Sequence, residues 1–528
     1  MNSASKPFKA GSWLRRLATT LPFLALGLVA LLAPSAARAA DIKVIAVTAG
    51  DNHSLFTTSD GRLWAMGYNY YGQLGIGSYG SYNSTPVLVN GGTDVIAEAA
   101  GGNHSLFVTV DGRRWGMGDN SYGQLGKGNS DTYNYTPVMV AGNTVIAVTA
   151  GGNHSLFVTT DDRLRAMGSN GSGQLGNGSY GSYYSTPVLV NGGTDVIAEA
   201  AGGNHSLFVT DDGRLWAMGY NYYGQLGIGS TDYNAHPTPV QVPVQNNARV
   251  IAVTAGDSHS LFVTDGGNLW AMGRNDNGQL GDGTNTDRNT PVLVNGGANV
   301  IAMAAGDNHS LFVTVDGKLW AMGNNDYGQL GDGTYTTRNT PVRVNEAANV
   351  IVVAAGGQHS LFVTADGKLW AMGRNNYGQL GDGTYADRNR PELVVDFNSG
   401  AFDAPAIIAH PATQTITAGG SVTFSVLATG SNLSYQWMKD GSDILYYYDA
   451  NSASYTITYA GQYDAGAYSV RVWNPYGTVT SNIAMLTVND PGPGPNPGPS
   501  HGGGGAPSLW LPAALAALLA LRQLTNKK

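Results

Sequence analysis

No cysteine occurs anywhere in the 528 residues. A disulfide framework, a thiolate metal site and a thiol nucleophile are therefore excluded. Charge is scarce too: Asp, Glu, Lys and Arg make up 12% of the chain, and the formal net charge is −8. Residues 1–39 carry five basic residues and no acidic one, so without them the charge falls to −13. Nucleic-acid binding rests on basic patches that neutralise phosphates, and this balance supplies none, so no nucleic-acid partner is expected. Long apolar runs are also missing. The run Leu21–Leu32 has 12 residues, short of the ~18 that mark a membrane span. Glycine is plentiful, with 74 residues, as expected of a β-protein dense in turns.

Between Val44 and Gly400 nearly one sentence recurs seven times, from VIAVTAG through HSLFVT, DGRLWAMG and GQLG to TPVLV. Its histidines, His53, His104, His154, His205, His259, His309 and His359, are spaced 51, 50, 51, 54, 50 and 50 residues apart. A fixed period of this length marks a repeat architecture. The apolar stretches are short, rich in Val, Ile, Phe and Trp, and broken by Gly, Asp and Asn, which leaves strands and turns and no room for a helix. In the second copy the predicted strands are Val95–Ala100, Ser105–Thr109, Arg114–Met117 and Pro137–Val140, with Asp111-Gly112 as a tight hairpin. Four short antiparallel strands per unit, seven times over, describe a β-propeller.

The wording AAGGNHSLFVT, DGRLWAMG and GQLG resembles the repeats of the regulator of chromosome condensation (RCC1) family. The resemblance spans about two thirds of the chain and implies a seven-bladed propeller over residues 40–400. Ring closure is open between two expectations: a strand near Ile42–Thr48 paired with Arg390–Val395, or a swap within the first blade.

Residues 1–39 combine Lys6, Lys9, Arg15 and Arg16, the apolar run, and Ala37-Arg38-Ala39, the three-part pattern of a secretory signal peptide. Residues 491–508 form a Pro/Gly-rich spacer. Residues 509–528, apolar from Leu509 to Leu521 and then basic at Arg522, Lys527 and Lys528, resemble a carboxy-terminal sorting signal of bacterial surface proteins. A retained membrane anchor is the alternative. Export to the cell surface or the extracellular space is the expectation from both ends.

Residues 405–490 read as a second, all-β domain of about seven strands. Tyr435-Gln436-Trp437 and the later DAGAYSV segment resemble the immunoglobulin sandwich, with Trp437 in its core and Tyr468 as a tyrosine corner. Val426 and Val470 stand where that family places its two cysteines.

The seven histidines are expected to tie turns to neighbouring strands rather than to bind metal, because no carboxylate or thiolate accompanies them at ligand spacing. Asp282, Asp332 and Asp382 each precede an arginine (Arg288, Arg338, Arg388) by six residues, a spacing for loop ion pairs and not for calcium. Glu98 and Glu199 interrupt an apolar column and are expected to face water in the central channel. Residues 78–109 and 179–210 are identical except for Asn83 against Tyr184, so one Glu is read as a copy of the other. No catalytic residue, cofactor or metal ligand is assigned, and an enzyme is not expected.

Function is sought where the copies differ. The loops after AMG bring Tyr68, Tyr70, Tyr71, Tyr79 and Tyr82 in the first copy, Tyr180, Tyr183 and Tyr184 in the third, and Tyr220, Tyr222, Tyr223 and Tyr233 in the fourth. They leave the same edge of successive blades and are expected on one face, either as a binding surface or as rim cover. Arg165 replaces the Trp of six other copies and is expected to reach solvent or pair with Asp161 or Asp162, or else to mark a contact site.

Members of the resembling family include a nuclear guanine-nucleotide exchange factor, plant light sensors and secreted bacterial inhibitors of β-lactamases. A surface binding protein with a protein or glycan partner is the resulting expectation. A glycan-active protein, a structural surface module and a nucleotide exchange factor are the alternatives.

Overall fold

The computed structural model describes residues 42–490, except 141, 143, 398–404, 431–432, 445–447 and 475–476. The segments read as signal peptide, spacer and sorting or anchor segment lie outside these residues. Among the described residues no helix is long and apolar enough to cross a membrane.

Seven four-stranded antiparallel sheets form the propeller. Blade one consists of β1 (Val44–Ala49), β2 (His53–Thr58), β3 (Leu63–Tyr68) and β4 (Tyr82–Leu88). Blade two follows as β5 (Val95–Ala100), β6 (His104–Thr109), β7 (Arg114–Asp119) and β8 (Tyr133–Val140). Blade three is β9 (Val145–Ala150), β10 (His154–Thr159), β11 (Leu164–Ser169) and β12 (Tyr183–Leu189). Blade seven ends with strand Arg388–Val395. The fourth strand of blade two starts four residues earlier than expected, because the polar YNY segment before Thr136-Pro137 also joins the ladder.

The second and third strands of each blade carry the deepest burial. Leu55, Phe56, Leu63, Ala65 and Met66 are fully buried, and each later blade repeats most of this set. Clusters cross blade boundaries: Leu55, Leu63 and Ala65 of blade one pack with Phe107 and Met117 of blade two. Apolar burial at ~25 cal/mol per Å² therefore holds blades to one another as well as strands within a blade.

Neither expected mode of closure occurs. β1 pairs with β2 inside its own blade, and Arg388–Val395 pairs with the third strand of blade seven. The ring closes as its internal boundaries do. The Val44 amide donates to Gly367 O at 3.0 Å, just as the Val95 amide donates to Gly61 O and Val145 to Gly112 O. Each blade buries an apolar face on its neighbour, so an exchanged strand is not required.

The second domain has the expected core. Phe424, Trp437, Tyr455 and Tyr468 are buried together with Val426 and Val470. The Tyr468 hydroxyl donates to Asp464 O at 2.7 Å, and Trp437 Nε1 donates to Ser452 O at 2.9 Å. The strand edge over 422–429 is interrupted at Val426. Val422–Ser425 pairs with Ser454–Ile457, whereas Leu427–Thr429 pairs with Ala406–Ala409.

Candidate functional site

The histidines build a ring. Each imidazole Nε2 lies 2.8–2.9 Å from the Ser Oγ of the next blade: His53 to Ser105, His104 to Ser155, His154 to Ser206, His205 to Ser260, His259 to Ser310, His309 to Ser360, and His359 back to Ser54. Every one of these serines also donates to a Gln backbone carbonyl of the preceding blade, as Ser54 does to Gln379 O at 2.9 Å. A hydroxyl has one proton. The imidazole must therefore donate from Nε2, which leaves Nδ1 unprotonated. All seven Nδ1 atoms are buried without a hydrogen-bond partner. Burial holds each His neutral, pushed down to about 3 for His53 and about 4 for His309. Glycine is required beside this bare nitrogen, since a Cβ on Gly50 would lie 2.7 Å from His53 Nδ1 and 2.2 Å from Gly101 O.

The turns between first and second strands surround a cavity of about 290 Å³ at one mouth of the central channel. Asp51, Asp257 and Asp307 line it, where four other blades place Gly102, Gly152, Gly203 and Gly357. Burial and the neighbouring Asp257 charge push the Asp51 carboxyl up to about 6, and burial with both neighbours pushes Asp307 to about 7. Among the described residues no group of three His, Asp or Glu side chains is arranged to hold a metal ion.

The tyrosine loops rise around this same mouth, because the Tyr68 amide at the end of β3 donates to Asn52 O at the start of β2. At three boundaries a loop tyrosine rests on the next blade: Tyr377 on Tyr68 (4.9 Å between ring centroids), Tyr223 under Arg274 (5.2 Å) and Tyr327 under Arg374 (5.0 Å). The longest aromatic run crosses blades seven, one and two. Tyr68 contacts Tyr70, Tyr71, Tyr82 and Tyr377, and Tyr71 continues to Tyr133 at 5.0 Å. Tyr70 and Tyr82 stay 53% and 48% exposed. Tyr79 stacks on Tyr135 at 4.3 Å. Tyr220, Tyr222, Tyr223 and Tyr233 form a separate cluster on blade four. The blade-three tyrosines join neither: Tyr184 is held by Ser179, Tyr183 accepts from Ser130, and Tyr180 is exposed. The expected tyrosines thus leave the same edge of their blades but divide into two clusters, with Tyr79 paired to Tyr135 and the three blade-three rings outside both. Tyr377, Tyr133 and Arg374 belong to the larger cluster and were not anticipated; what marks them in the sequence is their register in neighbouring copies.

The Asp/Arg loops form ion pairs. Arg288, Arg338 and Arg388 reach Asp282, Asp332 and Asp382 at 2.7–2.8 Å. These pairs are less exposed than expected, with only 2% of the Asp382 side chain accessible. Burial works to raise the Asp282 carboxyl, but hydrogen bonds from Thr284 and Arg288 prevail and hold it below the usual range.

Glu98 does not face channel water. Its Oε2 accepts a 3.0 Å hydrogen bond from Thr57 of blade one, while Oε1 is buried without a partner. Burial pushes Glu98 and Glu199 each up to about 7. Thr57 is the one Thr at a position where every other blade has Val, including Val158 in the blade before Glu199.

Arg165 does not pair with Asp161, whose carboxylate meets Arg163 at 3.5 Å. It lines a cavity between blades two and three, with its Nε buried and unpartnered.

A disc of seven blades, with its histidines committed to construction and its variable loops gathered on one face, is a repeat scaffold of the propeller class. The chain belongs to the RCC1-like family: the RCC1-like domain model matches residues 29–311, and the regulator of chromosome condensation (RCC1) repeat matches 316–363 and 366–426. An immunoglobulin domain model matches 404–474. The chain is 31% identical over 258 residues to the ultraviolet-B receptor UVR8 of Arabidopsis thaliana, covering 48% of this chain and 58% of the receptor. It is 30% identical to the probable E3 ubiquitin-protein ligase HERC4 of Homo sapiens, covering 48% of this chain and 20% of the ligase. The chain thus spans about half, or less, of the length of these relatives. Human WBSCR16 is similar in fold, with a TM-score of 0.58 at 24% identity over 63% of this chain and 94% of that one. Yeast RCC1 (Prp20), in a structure with Kap60, gives 0.57 at 21% over 71% and 91%.

Proposed function

We propose that this chain is a non-enzymatic binding protein, exported to the cell surface, whose propeller captures a protein partner on the tyrosine-bearing face. The aromatic run from Arg374 through Tyr377, Tyr68 and Tyr71 to Tyr133 carries this reading. Packed tyrosines offer rigid amphipathic area at low entropic cost, and exposed rings such as Tyr70 and Tyr82 remain free to contact a partner. Yeast RCC1 (Prp20), similar in fold, supports a protein-binding role, since it was solved bound to Kap60 and is described by its binding to Gsp1p and histones. The ends of the chain, read as an export signal and a sorting or anchor segment, support the surface location.

A glycan partner is the second reading, favoured by the exposed ring of Tyr79 stacked on the half-buried ring of Tyr135. Partner capture from envelope extract, run beside a polysaccharide array, separates the two. Sugar turnover lost in Glu98→Gln or Glu199→Gln would overturn the non-enzymatic part. Finding the chain intact in the cytosol would overturn export.

A further inference from the structure

Two departures from the repeat meet at one interface. Arg114 opens β7 where six other blades have Leu63, Leu164, Leu215, Leu269, Leu319 and Leu369. Arg165 stands in β11 where the other six have Trp, and it pairs across the ladder with Phe157. In those six blades the Trp stacks on its own Phe, as Trp115 does on Phe107 at 6.0 Å. In blade three Arg165 holds the Trp position, and Arg114 packs on Phe157 from the neighbouring blade where Leu63 packs on Phe107, its guanidinium carbon 3.9 Å from the Phe157 centroid.

The cavity these residues enclose is about 120 Å³ and is walled by Val140, Gly142, Val145, Phe157 and Pro187, with no carboxylate among the described residues that line it. Arg114 is only 3% exposed, yet its Nε and Nη1 have no hydrogen-bond partner, and the same holds for Arg165 Nε. A guanidinium has five N–H donors in a fixed fork suited to carboxylate and phosphate. Burying one without a counter-charge costs several kcal/mol. Consistent with this, burial and the charge of Arg165 push Arg114 down to about 9. A water's share of liquid volume is about 30 Å³, so the space accommodates an ion of several heavy atoms.

We propose that Arg114 and Arg165 form a binding site for a small oxyanion, a carboxylate or a phosphate, between blades two and three. It lies toward the face opposite the tyrosine loops, since β7 begins at the hairpin face. The anion supplies the counter-charge that the protein withholds and bridges adjacent blades through the two guanidinium forks.

The test is calorimetric titration of the purified chain with inorganic phosphate and, separately, acetate, at constant ionic strength. The comparison proteins are Arg114→Leu, Arg165→Trp and the double variant. These restore residues that six other blades fold with, and circular dichroism with thermal melting verifies their fold. Saturable binding of either anion to the parent, weakened at least tenfold in both single variants and lost in the double variant, is the expected result. Phosphate-only, acetate-only or dual binding identifies the class and supports the site. Absence of binding to the parent, or equal binding by the double variant, overturns it. A double variant that fails to fold leaves the two single variants and Arg165→Lys, which keeps the charge and should keep measurable affinity where Arg165→Trp does not.

Discussion

His359 Nε2 lies 2.8 Å from Ser54 Oγ, a hydrogen bond between residues 305 apart in sequence. It has the same form as the six bonds inside the ring, so first and last blades meet as any neighbouring pair does. Ser54→Ala should orphan the His359 donor and the Gln379 carbonyl together. An orphaned buried group costs about 1–3 kcal/mol, and urea denaturation should show a loss in that range or somewhat above it. The internal variant Ser155→Ala should lose a similar amount. A much smaller loss for Ser54→Ala would mean that closure depends on something else.

The neutral histidines set the acid response. Their folded values near 3 lie below the unfolded value of about 6.5, so their contribution is complete above pH 6.5 and is lost as pH falls toward 3. Asp51, Asp307, Glu98 and Glu199 act in the opposite sense, because their raised values favour the folded state at low pH and lose that effect through pH 6–7. The two sets partly cancel between pH 6.5 and 4.5. Below that the unfolded chain protonates its carboxylates as well, and only the histidine effect persists. Urea midpoints measured every half unit should fall gently from pH 7 to 5 and steeply from 4.5 to 3.5. An equally gentle slope throughout would contradict neutral histidines.

Glu199 has the raised carboxyl of Glu98 without its threonine. Glu199→Val should stabilise the protein, and more so at pH 8 than at pH 5, because a group raised above its unfolded value of about 4.5 destabilises once it ionises. The difference should be on the order of 2 kcal/mol. Thr57→Val should destabilise at pH 8 by removing the hydroxyl that Glu98 uses. Equal effects at both pH values would place these carboxylates in water.

Tyr70 and Tyr82 are half-exposed, whereas Tyr68 beneath them is largely enclosed by other rings. Tyr70→Ala and Tyr82→Ala should change stability by no more than about 0.5 kcal/mol, as surface substitutions usually do, while reducing partner capture at least tenfold. Tyr68→Ala should reduce both. Unchanged capture in all three variants would assign these rings to rim cover.

The blades were legible because period-two strands, Asp-Gly hairpins and invariant words recur seven times. The histidine ring was legible only halfway. A structural role followed from recurrence, but the acceptor was the serine beside each histidine, one blade away, and no spacing within a single copy shows that. Arg165 stands out in the sequence because it breaks the Trp column. Arg114 breaks the Leu column just as plainly, yet its meaning appears only when blades two and three stand side by side. Glu98 was misplaced for a similar reason, since its partner Thr57 belongs to the preceding copy. Relations between copies decide what the variations mean, and those relations are set by the ring.

Because every blade is one contiguous stretch of chain and every boundary carries the same clasp, no position around the disc is privileged as its seam. Joining the outer strand Arg388–Val395 to β1 by a short linker and opening the connector at Thr93-Asp94 would leave all seven sheets and all seven His–Ser contacts in place. Such a propeller, taken without the second domain that follows it in the natural chain, would differ only in the added linker and in where its chain starts, so the seam can be moved to whichever side leaves the partner-facing loops least disturbed.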